Sequence, residues 1–232
     1  KFIYLRSDGY KEYRSILGFI GPIIYHLMFT ISAFTSSLIS CRKHILRGKS
    51  GHVVHPSQLN KNWFVPEKKI EINKNKLLYV GRIRKEKGIF SLIEIVENTD
   101  IKLTIVTSEK DNKTNLNSNN VSVINFENYN DEIIKFYDEH SIFILPSYTE
   151  GHPQVLDEAL ARCRPVIVFE EISHVVRDRK GVFISKRKTE ALTETIEHIV
   201  NNYESIKNDI KSNALPTKKN FTDELKKIIL KD

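Results

Sequence analysis

The chain has 232 residues, 40% hydrophobic and 28% charged, with 9 Gly and 7 Pro. That is room for one large domain or a domain and part of another, and it excludes a disordered or collagen-like chain. Lys plus Arg number 36 against 29 Asp plus Glu, a net charge of +7, which favours anionic ligands or an anionic membrane surface but lacks the basic excess of a nucleic-acid binder.

The chain opens on Lys1 directly inside a strand-like run, KFIYLRSDG, so residues upstream, with any targeting signal, are expected to be missing. Strands are expected at Phe2 to Leu5, Ser37 to Ser40 and Val53 to His55. Between Arg14 and Arg42 no residue carries a formal charge, and ILGFIGPIIYHLMFTISAF is apolar enough to raise a membrane span. Gly18, Gly21 and Pro22 interrupt this run, and His26, Thr30, Ser32, Thr35, Ser36 and Ser37 dilute its second half. That pattern suits a buried helix followed by a strand, with a membrane-dipping helix and a true span as the alternatives. Residues 1–66 are too few for a complete α/β domain and are read as the remnant of a truncated one. Within such a remnant the helix at Ile16 to Ala33 is left with an exposed apolar face. A polar, lysine-rich stretch, Glu67 to Lys76, is the expected linker.

From Leu77 onward short apolar runs alternate with helix-period segments, the pattern of a parallel sheet with crossover helices. Strands are expected at Leu77 to Ile83, Lys102 to Thr107, Val121 to Phe126, Ile142 to Pro146, Val166 to Phe169 and Val182 to Ile184. Helices fit between them at Gly88 to Asn98, Asp131 to Glu139, Pro153 to Arg162, Ile172 to Arg177 and Thr189 to Asn202, the last with Thr189 as N-cap. The asparagine-rich segment Glu109 to Asn120 reads as a surface loop without assigned function. A final helix, Thr222 to Leu230, follows a spacer around Pro216. The two cysteines, Cys41 and Cys163, stand far apart and outside any CxxC or CxxH spacing. Neither a disulfide framework nor a cysteine zinc site is expected, and the cytosol fits.

Two stretches carry chemistry. In LLYVGRIRKEKG, Leu77 to Gly88, a strand ends in Gly-Arg and a helix starts after Lys-Gly. The carboxyl end of a strand and the following helix N-terminus define a crevice that favours an anion. Arg82 and Lys87 can both point a cation there; the plainer reading is a solvated basic loop that also holds Arg84 and Lys85. In LPSYTEGHPQVLDEALARCRPVIVF, Leu145 to Phe169, a strand ends at Pro146 and a loop carries Glu150, Gly151 and His152 before a helix that carries Glu158. The two acids suit either an acid/base pair or hydroxyl recognition, and a plain helix-surface acid is the simpler account of Glu158.

GRxxxxKG after a strand, then PSxxEG, E-x7-E and a PVI strand together resemble the retaining GT-B glycosyltransferases of family 4. The resemblance covers Leu77 to about Asn202, and upstream it is one of order only, with LISCRKHILRG where the family has the last strand and helix of its N-terminal domain. It implies an α/β fold: a Rossmann-like GT-B C-terminal domain with a parallel sheet at 77–215, the remnant of a second Rossmann-like domain at 1–66, a linker at 67–76 and a crossing helix at 216–232. It implies a nucleotide-diphosphate sugar as donor, with Arg82 and Lys87 on the diphosphate, Glu150 on hydroxyls of the transferred sugar and Glu158 on the ribose. Gly81, Gly151, His152, Gln154 and Val155 would line the donor. No metal or other cofactor is expected, since two fixed cations answer the charge that develops on the departing diphosphate. The partners implied are the donor and a saccharide or lipid-linked saccharide acceptor in bacterial surface polysaccharide or lipopolysaccharide assembly, with no nucleic acid. The protein is placed in the cytoplasm, with peripheral contact at the inner face of the membrane left open. The alternatives are a nucleotide-sugar 2-epimerase and a non-catalytic nucleotide-binding module. The sequence departs from the family at Cys163, where a glycine is usual, at His152-Pro153, which replace Phe-Gly, and in INFEN, which lacks the usual glycine after the third strand.

Overall fold

A computed structural model describes residues 1–64, 76–109, 116–126 and 131–230. The described residues form two compact units: a smaller one from Lys1–Gln58, Glu150–Gln154 and Pro216–Asp232, and a larger one from Leu59–Thr149 and Val155–Leu215. The expected linker falls at 67–75 outside the described residues, and its last residue, Lys76, opens a strand.

In the smaller unit the chain runs β1 (Phe2–Leu5), α1 (Gly9–Leu17), a 3₁₀ turn at Gly18–Ile20, α2 (Gly21–Thr35), β2 (Ser37–Ser40) and β3 (Gly51–Val53). The strands form a parallel sheet in the order β1-β2-β3. β3 lies two residues earlier than the sequence suggests, because the His55 N–H leaves the ladder and donates to Glu224 Oε2 at 2.7 Å. α1 was not foreseen. It starts where Asp8 accepts the Tyr10 N–H at 3.2 Å and pairs with Arg47 at 2.9 Å.

For Ile16 to Ala33 the buried helix is corrected, and the exposed apolar face also expected there is present. α2 packs through one face only: a Cβ on Gly21 would stand 2.0 Å from the Tyr13 carbonyl, Tyr25 stacks on Phe29 at 6.1 Å, and His26 Nδ1 lies 2.8 Å from the Tyr10 hydroxyl. Opposite that face, Ile20, Ile23, Ile24, Leu27, Ile31 and Phe34 recur at helical spacing and are exposed, Phe34 to 91%; Phe19 before them is 82% exposed. Gly18–Thr35 is long and apolar enough to cross a membrane by length and composition.

The larger unit holds a six-stranded parallel sheet: β4 (Lys76–Val80), β5 (Lys102–Thr107), β6 (Val121–Asn125), β7 (Ile142–Leu145), β8 (Val166–Phe169) and β9 (Val182–Ser185), in the order β6-β5-β4-β7-β8-β9. The inner strands β7 (IFIL) and β8 (VIVF) are apolar at every residue and wholly buried, as strands covered on both faces must be, while the edge strands β6 and β9 are partly exposed. The helices are α3 (Ile89–Glu97), α4 (Ile134–Glu139), α5 (Gln154–Ala161), α6 (Thr189–Asn201) and α7 (Tyr203–Lys211). Lys188, not Thr189, is the N-cap of α6. The helix expected at Ile172 to Arg177 is a 3₁₀ segment, Glu170–Val175, and α7 was not foreseen. Its Tyr203 hydroxyl donates to the Ser141 carbonyl at 3.2 Å, which anchors it beneath β7.

Buried charges behind the sheet are paired. Asp138 takes a two-pronged bond from Arg162 at 2.8 Å and lies 3.4 Å from Arg164, whose Nε donates to the Tyr137 carbonyl at 2.6 Å. Asp157 is paired with Arg179 at 2.7 Å. Cys163, between the two arginines in sequence, has φ of 55°, the left-handed region where a Cβ is unfavourable. This accounts for glycine as the usual residue there.

The last helix, α8 (Lys218–Ile229), begins four residues earlier than expected because Thr217 and Asn220 form a reciprocal cap. It belongs to the smaller unit, where Glu224 meets His55 at 3.0 Å and Phe221 packs on Tyr4 with ring centroids 6.4 Å apart.

Candidate functional site

In the larger unit β4 comes first in sequence yet sits mid-sheet, with β5 on one side and β7 on the other. At such a reversal the connections leaving the two central strands diverge and open a crevice beyond their carboxyl ends. Within the larger unit those connections are Gly81 to Gly88 after β4 and Pro146 to Thr149 after β7, parts of the two stretches that carry chemistry.

The first connection is braced at several points. Tyr79 is buried in β4, and its hydroxyl reaches forward to donate to the Arg82 carbonyl at 2.8 Å. Glu109, just past β5, accepts the Ile83 N–H at 2.9 Å and Arg84 Nε at 3.1 Å. Glu109 therefore has a role, contrary to its reading as part of a loop without one; residues 110–115 of that loop lie outside the described residues. Arg84 is not simply solvated, since it is ion-paired. Lys85–Lys87 make one 3₁₀ turn, and Gly88 follows in the left-handed region with φ of 65°. A Cβ on Gly88 would stand 2.0 Å from the Pro146 carbonyl oxygen, so any side chain there would force the two connections apart. The Tyr148 N–H donates across the same gap to the Glu86 carbonyl at 3.0 Å. Arg82 is exposed and Lys87 half-buried on this braced turn. α3 starts directly after Gly88, so its N-terminal dipole lies beside them.

Glu158 is not a helix-surface acid. It is 2% exposed, and Oε2 of its carboxylate accepts the Tyr137 hydroxyl at 2.8 Å. Trp63 and Phe143 pack the Tyr137 ring from two sides, with centroids 5.4 and 5.6 Å away, so the carboxylate is held in one orientation. Val155, also in the larger unit, is half-buried one turn earlier in α5.

The remaining candidates, Glu150, Gly151, His152 and Gln154, group with the smaller unit. Each is half-buried, and Nε2 of His152 is buried. Gly151 lies against backbone: a Cβ there would be 3.0 Å from the Arg6 carbonyl oxygen and 3.9 Å from Cys41 Sγ. Gly81, Arg82, Lys87, Val155 and Glu158 thus all belong to the larger unit, and the acid expected on the transferred sugar belongs to the smaller one.

Sequence reasoning missed Tyr79, Glu109, Tyr137 and Arg187. A signal existed for the tyrosines, because a buried Tyr hydroxyl needs a partner and so points to whatever polar group lies near. Arg187 follows β9, and its guanidinium meets the Pro146 carbonyl just past β7 and the ring of Phe169 at the end of β8. It bonds Glu171, and that hydrogen bond holds the Glu171 carboxyl below its usual pKa.

A family model for glycosyl transferases group 1 matches residues 62–215. The capsular polysaccharide biosynthesis glycosyltransferase CapM of Staphylococcus aureus is 32% identical over 150 residues, 59% of this chain and 39% of that protein. The putative teichuronic acid biosynthesis glycosyltransferase TuaC of Bacillus subtilis is 31% identical over 122 residues, 51% of this chain and 31% of that protein. The chain thus spans well under half the length of these relatives. Among solved structures, sucrose-phosphate synthase from Thermosynechococcus elongatus aligns over 99% of this chain and 67% of its own with a TM-score of 0.75 at 15% identity. A TarM mutant of S. aureus, solved with fondaparinux, alpha-GlcNAc-glycerol and UDP, aligns over 98% of this chain and 50% of its own with a TM-score of 0.69 at 15% identity.

Proposed function

This chain belongs to the glycosyl transferases group 1 family, and from that premise we propose that its larger unit binds a nucleotide-diphosphate sugar, which the enzyme transfers with retention of configuration. The acceptor in this reading is a saccharide or lipid-linked saccharide of a surface polysaccharide. The observation that carries it is the braced turn at the strand reversal, where Arg82 and Lys87 sit beside the N-terminus of α3 while Glu158 is buried in α5, the helix that follows β7. Departure of the diphosphate leaves negative charge on phosphate and positive character on the anomeric carbon. Two cations fixed at the phosphate end stabilise that state more than the ground state. In this reading the cations, not a metal, balance the diphosphate, and Glu150 holds hydroxyls of the transferred sugar.

Glu158 is assigned to the ribose, where a carboxylate accepts two hydroxyl protons. UDP is the probe of choice, since it occupies the related TarM structure. Glu158→Gln is expected to weaken UDP binding about tenfold, the cost of one charged hydrogen bond, with little change in thermal midpoint. Calorimetric titration measures it, and unchanged affinity would remove the ribose role.

The exposed stripe of α2 supports peripheral contact with the inner face of the cytoplasmic membrane. The chain is expected to sediment with vesicles of phosphatidylcholine and phosphatidylglycerol, and Leu27→Glu with Ile31→Glu is expected to keep it in the supernatant. Equal recovery of both proteins with the vesicles would count against membrane contact.

A further inference from the structure

We propose that Arg187 is a positioning residue that locks the connection after β7 onto the start of α3, and thereby shapes the crevice that takes the nucleotide-diphosphate. The inference rests on the donor reading above. One guanidinium makes four hydrogen bonds to three separate segments. Nη1 donates to Ser91 Oγ in the first turn of α3 at 2.8 Å, and Nη2 to the Pro146 carbonyl at the end of β7 at 2.8 Å. Nε and Nη2 grip the Glu171 carboxylate at 2.8 and 3.2 Å. The planar group also lies over two rings, with Cζ 4.1 Å from the centroid of Tyr148 and 4.3 Å from that of Phe169. Four of its five N–H donors are thus directed at protein, and its side chain is 14% exposed.

Three of those partners, Pro146, Ser91 and Tyr148, border the crevice. Pro146 is the residue whose carbonyl abuts Gly88, and Ser91 Oγ donates back to the Gly88 carbonyl at 3.0 Å. Tyr148, under the guanidinium, is the residue whose N–H reaches Glu86. Arg187 therefore acts on Lys87 and the α3 N-terminus through their immediate neighbours, without being a phosphate ligand itself. Lysine is no substitute: it keeps the charge, but one ammonium offers neither the planar fork nor the double ring stack.

The test uses the full chain with UDP as probe. Amide hydrogen exchange of the ligand-free protein is compared between wild type and Arg187→Lys, and UDP affinity is titrated on both. Exchange is expected to rise at least tenfold at Tyr148 and Leu92 and to stay unchanged in β5, with UDP binding at least tenfold weaker. A general loss of stability would instead raise exchange in β5 as well, and would overturn the positioning role. So would unchanged exchange at Tyr148 and Leu92, or full UDP affinity in the lysine variant. Wild-type chain that binds no UDP overturns the donor reading, and the exchange data then judge the clamp separately. Should Arg187→Lys fail to fold, Glu171→Gln, which loosens one side of the same clamp, is expected to move both readouts in the same direction to a smaller extent. No change in either overturns the proposal.

Discussion

Alanine at Arg82 or at Lys87 is expected to lower the turnover of the active enzyme at least about 100-fold each. Loss of one preorganised donor at a site of developing charge costs about 3 kcal/mol in the transition state, or roughly two decades in rate. The backbone of the turn that carries both residues is held: Tyr79 and Glu109 brace it from one side, and the Gly88 contact with Pro146 from the other. Because the Arg82 side chain is exposed and neither residue belongs to the core, the thermal midpoint should hardly move. Sugar transfer measured at saturating donor reads the effect. Near wild-type rates in both variants would remove the diphosphate assignment.

The largest effect on stability is expected at Asp138. Replacing it with alanine takes the shared partner from two guanidiniums, of which that of Arg164 is 1% exposed. Removing one partner of a buried ion pair costs about 3–5 kcal/mol, a large part of the 5–15 kcal/mol typical of a whole domain. Asp138 is itself partly open to water, so the lower end, about 3 kcal/mol, is expected from urea unfolding. A change under about 1 kcal/mol would mean that water or another acceptor replaces the carboxylate.

The parallel sheet was legible because its inner strands β7 and β8 are buried on both faces and read as plain apolar runs, and β8, like the more mixed β5, falls where the sequence puts it, residue for residue. The helix ends were less legible, since a cap depends on which side chain turns back, and Thr217 with Asn220 does so ahead of any apolar stripe. α2 was only partly legible, for a different reason. Its composition says that Ile23, Leu27 and Ile31 avoid water, but no composition says what they meet. The turn after β4 was recognisable from its strand, its glycines and its cations, all local in sequence. Arg187 was not, since its partners Ser91, Pro146 and Glu171 stand 96, 41 and 16 residues away and nothing near it hints at them.

The place of β4 between β5 and β7 has a kinetic consequence. β4 pairs with β5 across a single helical crossover, but its partner on the crevice side, β7, comes only after β5, β6 and α4 have been laid down. Closing such a loop is entropically costly before any contact repays it, so this pairing is expected to be among the slower events in folding. Until it forms, Gly88 has no Pro146 to rest on and Arg187 has no second connection to grip. A nucleotide that recognises the finished crevice therefore has no intermediate to bind. Added during refolding, it should slow unfolding and leave the folding rate as it was.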